Sequence, residues 1–408
     1  MLQINYFNMC SGVFYAYLRS ISNILHNFKI KKIFFFTAIT CLMLSCSQEA
    51  EVSEPDLKEP AFKKLKPTGA LTKFVSRAGY AELYVSNGDL WMAAAPDYEW
   101  NKITKPSDGT ISDIAISGDS LYAIVINNKT GETTIWCSDR SGDGSWDRVK
   151  NGTKEQYRAI FSANGVLFIS EWNGNYYFND KNYNIITLSG NFVKYNTSLL
   201  TGVVWMNSNY FFATQGDGIY YSPMPNKSTT RSLPVTNKNI LGLVKLPASK
   251  IAAVSKKGYI YQINVPALVH GQEFDHQTNV SIPTITESKD FQISFTKALA
   301  YYQNSDAGLL IVGIKSNFTK EVGYRELFVN YNTGNITFEL RYPGELSYTS
   351  VSDRETYTAS IGEKKLNAVI QAGPNTERLP LMFASTQKDG LWSFRSNSEG
   401  RKIWKAEN

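Results

Sequence analysis

The residues that most often perform chemistry are scarce in this chain of 408 residues. It has three histidines and four cysteines, and only His270, His276 and Cys137 lie beyond residue 46. They form no H-E-x-x-H, C-x-x-C or Ser-His-Asp spacing, so neither a metal site nor histidine-based catalysis is expected. The phosphate-binding patterns G-x-x-x-x-G-K and G-x-G-x-x-G are also absent. The sequence therefore predicts no cofactor and no metal.

An excess of charge of one sign is lacking as well. The formal net charge is +6, but four basic residues and no acidic residue lie in the first 45 positions. The remainder has 38 basic against 36 acidic residues. A nearly neutral domain has no electrostatic footprint for nucleic acid, so nucleic acid is excluded as an expected partner.

No apolar run is long enough for a transmembrane helix. The longest candidate, Ile33–Leu44, has twelve residues and follows the basic segment Lys29–Lys32, whereas a spanning helix needs about 20. This arrangement is typical of a signal peptide. The residues Leu42–Cys46 resemble the lipobox of bacterial lipoproteins, although Met43 is unusual there. The resemblance implies a signal peptide over residues 1–45 and lipidation of Cys46; an ordinary signal peptide is the alternative.

The residues around this predicted leader suggest a location. Residues 1–28 are too long for a normal signal start and are interpreted as an over-extended gene start. Residues 46–70 are acidic and lack periodicity, which predicts a lipid-anchored tether. By resemblance to bacterial lipoproteins, Ser47 favours the outer membrane over the inner one. We therefore expect an exported protein of the cell envelope.

The most regular pattern in the chain is a repeated hairpin. Each copy has an apolar strand, a glycine turn and a strand rich in aromatic residues, as expected for tight β-hairpins. The first five turn glycines are spaced 43, 43, 44 and 40 residues apart. These glycines, with a later copy, are Gly88, Gly131, Gly174, Gly218, Gly258 and Gly390.

The repeat predicts an all-β protein with one β-propeller. A period of about 40–50 residues composed of strands is typical of that fold. An apolar strand precedes each hairpin and a shorter strand follows it, so each unit has four strands. We expect seven four-stranded blades over residues 71–408, with six or eight as alternatives. Residues 290–380 fit least well: 298–340 predict one blade, 342–362 an insertion, and 366–370 the start of the last blade.

Two short segments resemble those of known propeller families. Ser138–Trp146 resembles the Asp-box of sialidase-type propellers, and Asn332-Thr333-Gly334 resembles a turn of quinoprotein-type propellers. The overall resemblance is to bacterial propeller lipoproteins as a class. A sialidase-type site would imply an arginine triad, a tyrosine with its glutamate, and an aspartate. Arg77 and Arg158 precede predicted inner strands, but no complete set assembles around them.

The candidate ligand-binding residues lie on the loops between the second and third strands of the blades. In a propeller these loops share one face with the connections between blades. An exposed Trp172 side chain could stack on a sugar or anchor a peptide, although packing against the next blade is the alternative. The tryptophans at 100, 146, 205 and 404 are expected to pack in the interior. The full candidate set is Trp172, Asn173, Gln215, Asp217, Lys256, Lys257 and Asp389.

Two functions of different classes follow. The first is an envelope-anchored, non-catalytic binding or scaffold protein that presents this face to a protein or glycan. It would be monomeric and would contact the membrane through its lipid alone. The alternative is a propeller glycoside hydrolase or lyase of sialidase-like type, for which the sequence offers no catalytic residues. Glycosidase chemistry would need two carboxylates about 5–10 Å apart.

Overall fold

The computed structural model describes sixteen stretches of the chain. They are residues 67–77, 82–95, 98–107, 109–138, 145–171, 176–179, 185–187, 199–223, 231–266, 283–290, 292–303, 308–316, 318–343, 360–372, 382–396 and 402–407. The predicted signal peptide, Cys46 and most of the tether lie outside these ranges. The only helical element in them is a 3-10 turn, Ile361–Glu363. Within the same ranges, no helix has the length and apolar character needed to cross a membrane.

The described strands form seven antiparallel sheets, each built from consecutive strands of the chain. Sheet 1 contains β1 (Val75–Arg77), β2 (Glu82–Ser86), β3 (Leu90–Ala94) and β4 (Asn101–Ile103). Sheet 2 contains β5 (Thr110–Ser117), β6 (Ser120–Ile126), β7 (Glu132–Ser138) and β8 (Trp146–Lys154). Sheet 3 contains β9 (Tyr157–Ala163), β10 (Val166–Glu171), β11 (Tyr176–Asn179) and β12 (Ile185–Thr187).

The remaining sheets continue the same pattern. Sheet 4 contains β13 (Leu199–Met206), β14 (Asn209–Gln215), β15 (Gly218–Ser222) and β16 (Arg231–Ser232). Sheet 5 contains β17 (Ile240–Leu246), β18 (Lys250–Ser255), β19 (Tyr259–Asn264) and β20 (Thr284–Lys289). Sheet 6 contains β21 (Ile293–Gln303), β22 (Gly308–Ser316) and β23 (Tyr324–Val329). Sheet 7 contains β24 (Leu366–Gln371), β25 (Met382–Thr386), β26 (Leu391–Ser396) and β27 (Lys402–Ala406).

This arrangement confirms the predicted all-β propeller fold. Six sheets have four strands, and sheet 6 has three. The residues expected to form its fourth strand, 336–340, pair with β23 only in part, through the isolated bridges Val329–Ile336 and Glu326–Arg341 and a hydrogen bond from Thr337 N to Phe328 O (2.9 Å). An irregular segment paired to β23 therefore stands at the position where a regular fourth strand was predicted. The start of the last blade at residue 366 is confirmed by β24.

The core of the protein lies between the sheets. Seven buried clusters each join two neighbouring sheets, and the cluster around Phe383 and Trp100 joins sheet 7 to sheet 1. Because the second strand of each sheet is covered on both faces, its sequence is a continuous apolar run. Phe211 and Phe212, which are adjacent in β14, are both fully buried, but they pack in clusters on opposite faces of sheet 4.

The innermost strand of each sheet has a bulge near its beginning. In sheets 2 to 7 the register between the first two strands shifts at this point. In sheet 1, Thr72 N donates to Ser86 O and Val75 is opposite Tyr84. Two residues therefore separate Thr72 from Val75, whereas one residue separates Tyr84 from Ser86. A bulge turns one side chain away from the regular alternation. The bulged positions include Lys73, Ser112, Arg158, Thr201, Leu241, Lys297 and Asn367.

Candidate functional site

The turns between the second and third strands contact the connections between sheets, and together they form what we call the loop face. Backbone hydrogen bonds join the two sets of loops around the ring. These bonds run from Ile111 N to Gly88 O (3.2 Å), Glu155 N to Gly131 O (3.0 Å), Gly218 N to Lys238 O (2.8 Å), Asp290 N to Gly258 O (3.1 Å) and Gln387 N to Lys365 O (2.9 Å). The common face that the sequence predicted for these loops is therefore present at five sheets.

The contact with the connection explains why glycine recurs in these turns. Gly258 has a φ of +82°, and a Cβ atom there would lie 2.2 Å from the carbonyl oxygen of Asp290. It would also lie 2.5 Å from the carbonyl oxygen of Ile293. Glycine satisfies both the positive φ and the close backbone approach. The periodic glycines are thus a signature of turns pressed against the next connection.

Two turns on this face are held by the same pair of hydrogen bonds made by a threonine side chain. In sheet 4 the Thr214 hydroxyl donates to the Gly218 carbonyl (2.9 Å) and accepts from Asp217 N (3.2 Å). In sheet 7 the Thr386 hydroxyl makes the same two bonds, to Gly390 (3.0 Å) and from Asp389 N (2.8 Å). The signal is visible in the sequence as T-Q-x-D-G at 214–218 and 386–390, but this shared turn was not predicted. The buried threonine fixes the turn and holds the aspartate at its tip.

Aspartates of the loop face are accompanied by lysines. Asp89 contacts Lys102 (2.5 Å) and Lys105 (2.7 Å), and the hydrogen bonds from these two lysines lower the pKa of its carboxyl group. Asp389 lies 3.6 Å from Lys364. Asp389 was predicted as a site residue, but its partner and the Asp89 group were not, because the paired residues are 13 to 25 positions apart without a recurrent pattern.

Asp217 differs electrostatically from Asp89. Burial raises the pKa of its carboxyl group, and the positive charge of Lys238 opposes that shift. The side chain of Asp217 is half-buried at the edge of sheet 4. The pKa of Asp217 is therefore shifted in the direction opposite to that of Asp89.

The structure brings some predicted site residues together and leaves others apart. Gln215 forms a bridge with Asn239, and Lys256 N donates to Asn239 O (3.0 Å), so one linker residue joins the turns of sheets 4 and 5. The side chains of Gln215, Lys256, Lys257 and Asp389 are all exposed. Asp389 lies on sheet 7, away from this pair of turns. Trp172 and Asn173 lie outside the described residues, and their predicted roles remain predictions.

A charged cluster near the first strands of sheets 1, 2 and 3 was not predicted. Lys73 Nζ lies 2.9 Å from Asp113 Oδ2, donates to the Ile160 carbonyl, and lies 3.9 Å from the centre of the Phe161 ring. Asp113 Oδ2 also accepts from Ile160 N (2.8 Å). Burial lowers the pKa of Lys73, while Asp113 acts in the opposite direction. The cluster links sheets 1, 2 and 3 through polar contacts.

Two of the arginines considered for a sialidase-type site lie within strands, not before them. Arg77, at the end of β1, is 5% exposed and contacts Asp119 (2.8 Å) and Glu82 (3.5 Å). Arg158 lies in β9 and is 3.8 Å from Glu155. In the described part of the chain, no group of three or more histidine, cysteine or acidic residues could hold a metal ion.

The tryptophans expected to pack in the interior do so. Trp100 and Trp404 are buried between sheets 1 and 7 and between sheets 6 and 7. Trp146 packs against the cluster between sheets 1 and 2, and its indole N–H donates to Thr104 O (3.1 Å). The Trp205 ring lies 4.3 Å from that of Tyr210. These contacts leave the loop face, not the tryptophans, as the candidate site.

Comparisons with known proteins identify the fold. No protein-family description matches the chain, and no curated protein sequence is similar to it. The β-propeller domain of Cps50 (Swd1) from Myceliophteria thermophila is similar in structure, at 10% identity over 83% of this chain and 96% of that chain, with a TM-score of 0.51. A streptogramin B lyase structure matches at 10% identity over 80% of this chain and 94% of that chain, with a TM-score of 0.50. Similarity at these identities shows the propeller fold alone.

Proposed function

We propose that this protein is an envelope-anchored, non-catalytic binding propeller whose loop face holds a protein or glycan partner. The observation that carries the proposal is the construction of that face. Its turns are fixed by backbone hydrogen bonds to the connections, and they present exposed polar side chains such as Gln215, Lys256 and Lys257. Rigid loops lose little conformational entropy on binding, which favours a recognition surface.

The arrangement of carboxylates favours binding over glycoside hydrolysis. Asp89, Asp217 and Asp389 lie on three different sheets, and each interacts with a lysine of a neighbouring strand or connection. A hydrolase of the alternative class would place two carboxylates about 5–10 Å apart with separate acid and base roles. Charge-paired aspartates at the tips of separate turns are better suited to polar contacts with a partner.

The proposed location depends on the N-terminal sequence. The basic segment, the short apolar run and Cys46 support export and lipid attachment, with the outer membrane as the preferred site. In cells, Cys46→Ser should abolish incorporation of radiolabelled palmitate and move the protein from the membrane fraction to the soluble fraction. Cys137→Ser is the matched control and should change neither result. Retention of label in Cys46→Ser would contradict the anchor.

A site-specific crosslinking experiment tests the binding function. A photoreactive amino acid is placed at Gln215, Lys257 or Asp389 on the loop face, or at Asn332 in the turn after β23, at the opposite end of the strands. We expect the loop-face positions to crosslink one recurrent protein or a glycan, and position 332 to give no such product. Equal products from both faces would overturn the proposal. Turnover of a glycan by the purified protein would favour the hydrolase or lyase.

A further inference from the structure

The loop face of sheets 5 and 6 combines an exposed aromatic ring with unpaired positive charge. Phe318 lies in the turn after β22, and 76% of its surface is exposed. This is the larger exposed fraction of the two exposed large hydrophobic side chains in the described part of the chain. Lysines 256, 257, 315 and 320 are also exposed on the surrounding turns and strand end. We call these five residues the Phe318 patch.

The connection between sheets 5 and 6 brings the parts of this patch together. Gly258, which follows Lys257, has its Cα against Ile293 at the start of β21, where an added Cβ would meet the Ile293 carbonyl oxygen. Ile293 is paired with Ser316 at the end of β22. These two contacts place the Lys256–Lys257 turn and the Phe318 turn next to each other on the loop face.

The lysines flank Phe318 on both sides of sheet 6. Along β22, Leu310, Val312 and Ile314 pack in the cluster shared with sheet 5. The alternate residues Leu309 and Ile311 pack in the cluster shared with sheet 7. By this alternation Lys315 lies on the side of sheet 7, opposite the Lys256–Lys257 turn.

Hydrogen bonds to the Ser316 side chain define the backbone of the Phe318 turn. The Ser316 hydroxyl accepts from Phe318 N (3.3 Å) and from Thr319 N (3.1 Å), and the Thr319 hydroxyl donates to it (2.9 Å). The phenyl ring therefore projects from a defined turn. A scattered exposed apolar residue is ordinary on a protein surface, but an aromatic ring on a well-defined turn, surrounded by charge, is typical of a binding anchor.

The nearby negative charges do not neutralise the four lysines. Among the described residues, none of the four has an ion-pair partner. Glu321 lies close to Phe318 in sequence, but its carboxylate contacts Arg325 (3.1 Å) and the Tyr342 hydroxyl (3.1 Å). Asp290 accepts from Gln292 N (2.8 Å) and keeps its negative charge, but one carboxylate does not balance four lysines. The patch therefore has net positive charge around an apolar centre.

From this complementarity we propose that the Phe318 patch binds an acidic polypeptide segment with an apolar side chain that packs on Phe318. The inference rests on the proposed binding function and adds the chemistry of the partner. Acidic residues would be attracted by the flanking lysines, which mainly accelerates association and sets specificity. The apolar contact with the phenyl ring would supply affinity and would distinguish a polypeptide from a purely polar anion.

The test uses the purified propeller and fluorescein-labelled synthetic peptides, with anisotropy as the readout. The first peptide has glutamates around one central leucine, and the second has serine in place of that leucine. We expect the first to bind more tightly. Phe318→Ala should weaken its binding about tenfold without affecting the weaker serine peptide. Lys256→Glu/Lys257→Glu should weaken both peptides by about tenfold or more.

Matched variants control for exposure and charge. Tyr331→Ala removes the other large exposed hydrophobic side chain, which is 57% exposed, and Lys129→Glu/Lys150→Glu makes the same charge change on sheet 2. Both should bind the leucine peptide as the parent protein does. No binding of that peptide, equal binding of the two peptides, or equal losses in the control variants would overturn the proposal. Binding of a polyuronate that survives Phe318→Ala, without peptide binding, would overturn it in favour of an acidic glycan.

Failure of the peptide-binding proposal can be distinguished from failure of the proposed binding function of the loop face. If the peptides fail but loop-face crosslinks form in cells, the protein has a partner of other chemistry. If peptide binding is confirmed at the patch and crosslinks to a polypeptide include position 257, both proposals are supported.

Discussion

The junction between sheets 7 and 1 and the junction between sheets 4 and 5 both bury aromatic rings, but they are held together differently. Sheets 4 and 5 are joined by a connection whose Leu233 and Val235 enter the shared core. Sheets 7 and 1 come from opposite ends of the propeller sequence. There the Trp100 and Phe383 rings meet edge to face with centroids 5.2 Å apart.

The polar groups of the two junctions differ as well. In the junction between sheets 4 and 5, the Tyr261 hydroxyl accepts from Asn237 N (2.8 Å). In the closing junction, Tyr98 Oη and Trp100 Nε1 are buried and have no hydrogen-bond partner among the described residues. Unpaired buried polar atoms are unfavourable, and in the described part of the chain no connection joins sheets 7 and 1 to offset them. We expect the closing junction to be the first to open.

The largest effect should come from Phe383→Ala, which removes a fully buried ring from the closing junction. We expect a loss of about 4 kcal/mol in the free energy of unfolding, measured by urea denaturation. Phe211→Ala, equally buried between sheets 4 and 5, is the matched control and should lose a similar amount. Hydrogen exchange should differ: only Phe383→Ala should accelerate exchange selectively in β1–β4 and β24–β27. Identical exchange patterns would contradict the special status of the closing junction.

The next largest effect is expected where the Lys73–Asp113 ion pair joins sheets 1, 2 and 3. Asp113→Ala would leave the Lys73 ammonium group and Ile160 N without the carboxylate that contacts both. We expect a loss of about 3 kcal/mol in urea denaturation, because a largely buried charge loses its partner. The double variant Lys73→Met/Asp113→Leu should recover most of this loss. If it does not, the carboxylate contributes mainly through Ile160 N and not through the ion pair.

Two buried tyrosines offer a comparison by pH. Burial raises the pKa of Tyr302, between sheets 6 and 7, to about 12, and that of Tyr261 to about 12 as well. Above pH 10 a tyrosine of the unfolded chain ionises, whereas the Tyr302 and Tyr261 hydroxyls of the folded chain keep their protons. The stability that each tyrosine contributes is therefore complete below pH 10 and is lost as the pH rises to about 12. The loss is about 2 kcal/mol for each group.

Replacement by phenylalanine should separate the two sites. Tyr302 Oη has no hydrogen-bond partner among the described residues, so Tyr302→Phe should change stability at pH 7 by less than about 0.5 kcal/mol. Tyr261→Phe should lose about 1 kcal/mol, because Asn237 N loses its acceptor. Both variants should show a smaller decrease in stability between pH 10 and 12. Urea denaturation across this range measures it, and an unchanged slope in Tyr302→Phe would refute the assignment.

The smallest effect compares equivalent bulge residues. The Asn367 side-chain amide donates to Leu71 O across the closing junction (3.3 Å), and the Thr201 hydroxyl donates to Ile240 O across the junction between sheets 4 and 5 (2.9 Å). Asn367→Ala and Thr201→Val should each lose about 1 kcal/mol. Exchange should increase at the first strands of sheet 1 only in Asn367→Ala. If Thr201→Val also accelerated hydrogen exchange in the strands next to its own junction, the connection between sheets 4 and 5 would give that junction no extra protection.

The sequence was sufficient to predict features that recur with the blade. Gly88, Gly131, Gly218, Gly258 and Gly390 all occupy turns with positive φ, and the same steric requirement at each blade produces the period. The central strands were also recognisable, because burial on two faces demands apolar residues throughout. These constraints are local and repeated, so they leave a pattern.

Features that join distant residues left no such pattern. Lys73 and Asp113 are 40 positions apart, and each is an ordinary polar residue in its own segment. A bulge adds one residue to a strand without changing its composition, so the extra Thr201 or Asn367 was not recognisable. The outer strand of sheet 6 was predicted from the apolar residues of 336–340, but Ile336 and Arg341 alone form bridges. Edge pairing depends on backbone geometry that the side-chain pattern does not determine.

The two ends of the described propeller occupy positions equivalent to those of a connection. Asn87, in a loop-face turn, donates to Thr68 O (3.0 Å), and Glu407 N donates to Leu391 O (2.8 Å) as Leu233 N does to Ile219 O (2.8 Å). Topologically the ring therefore has no preferred beginning. A short peptide between residues 407 and 67 would create a seventh connection, and the chain could then be circularly permuted at any of the other six.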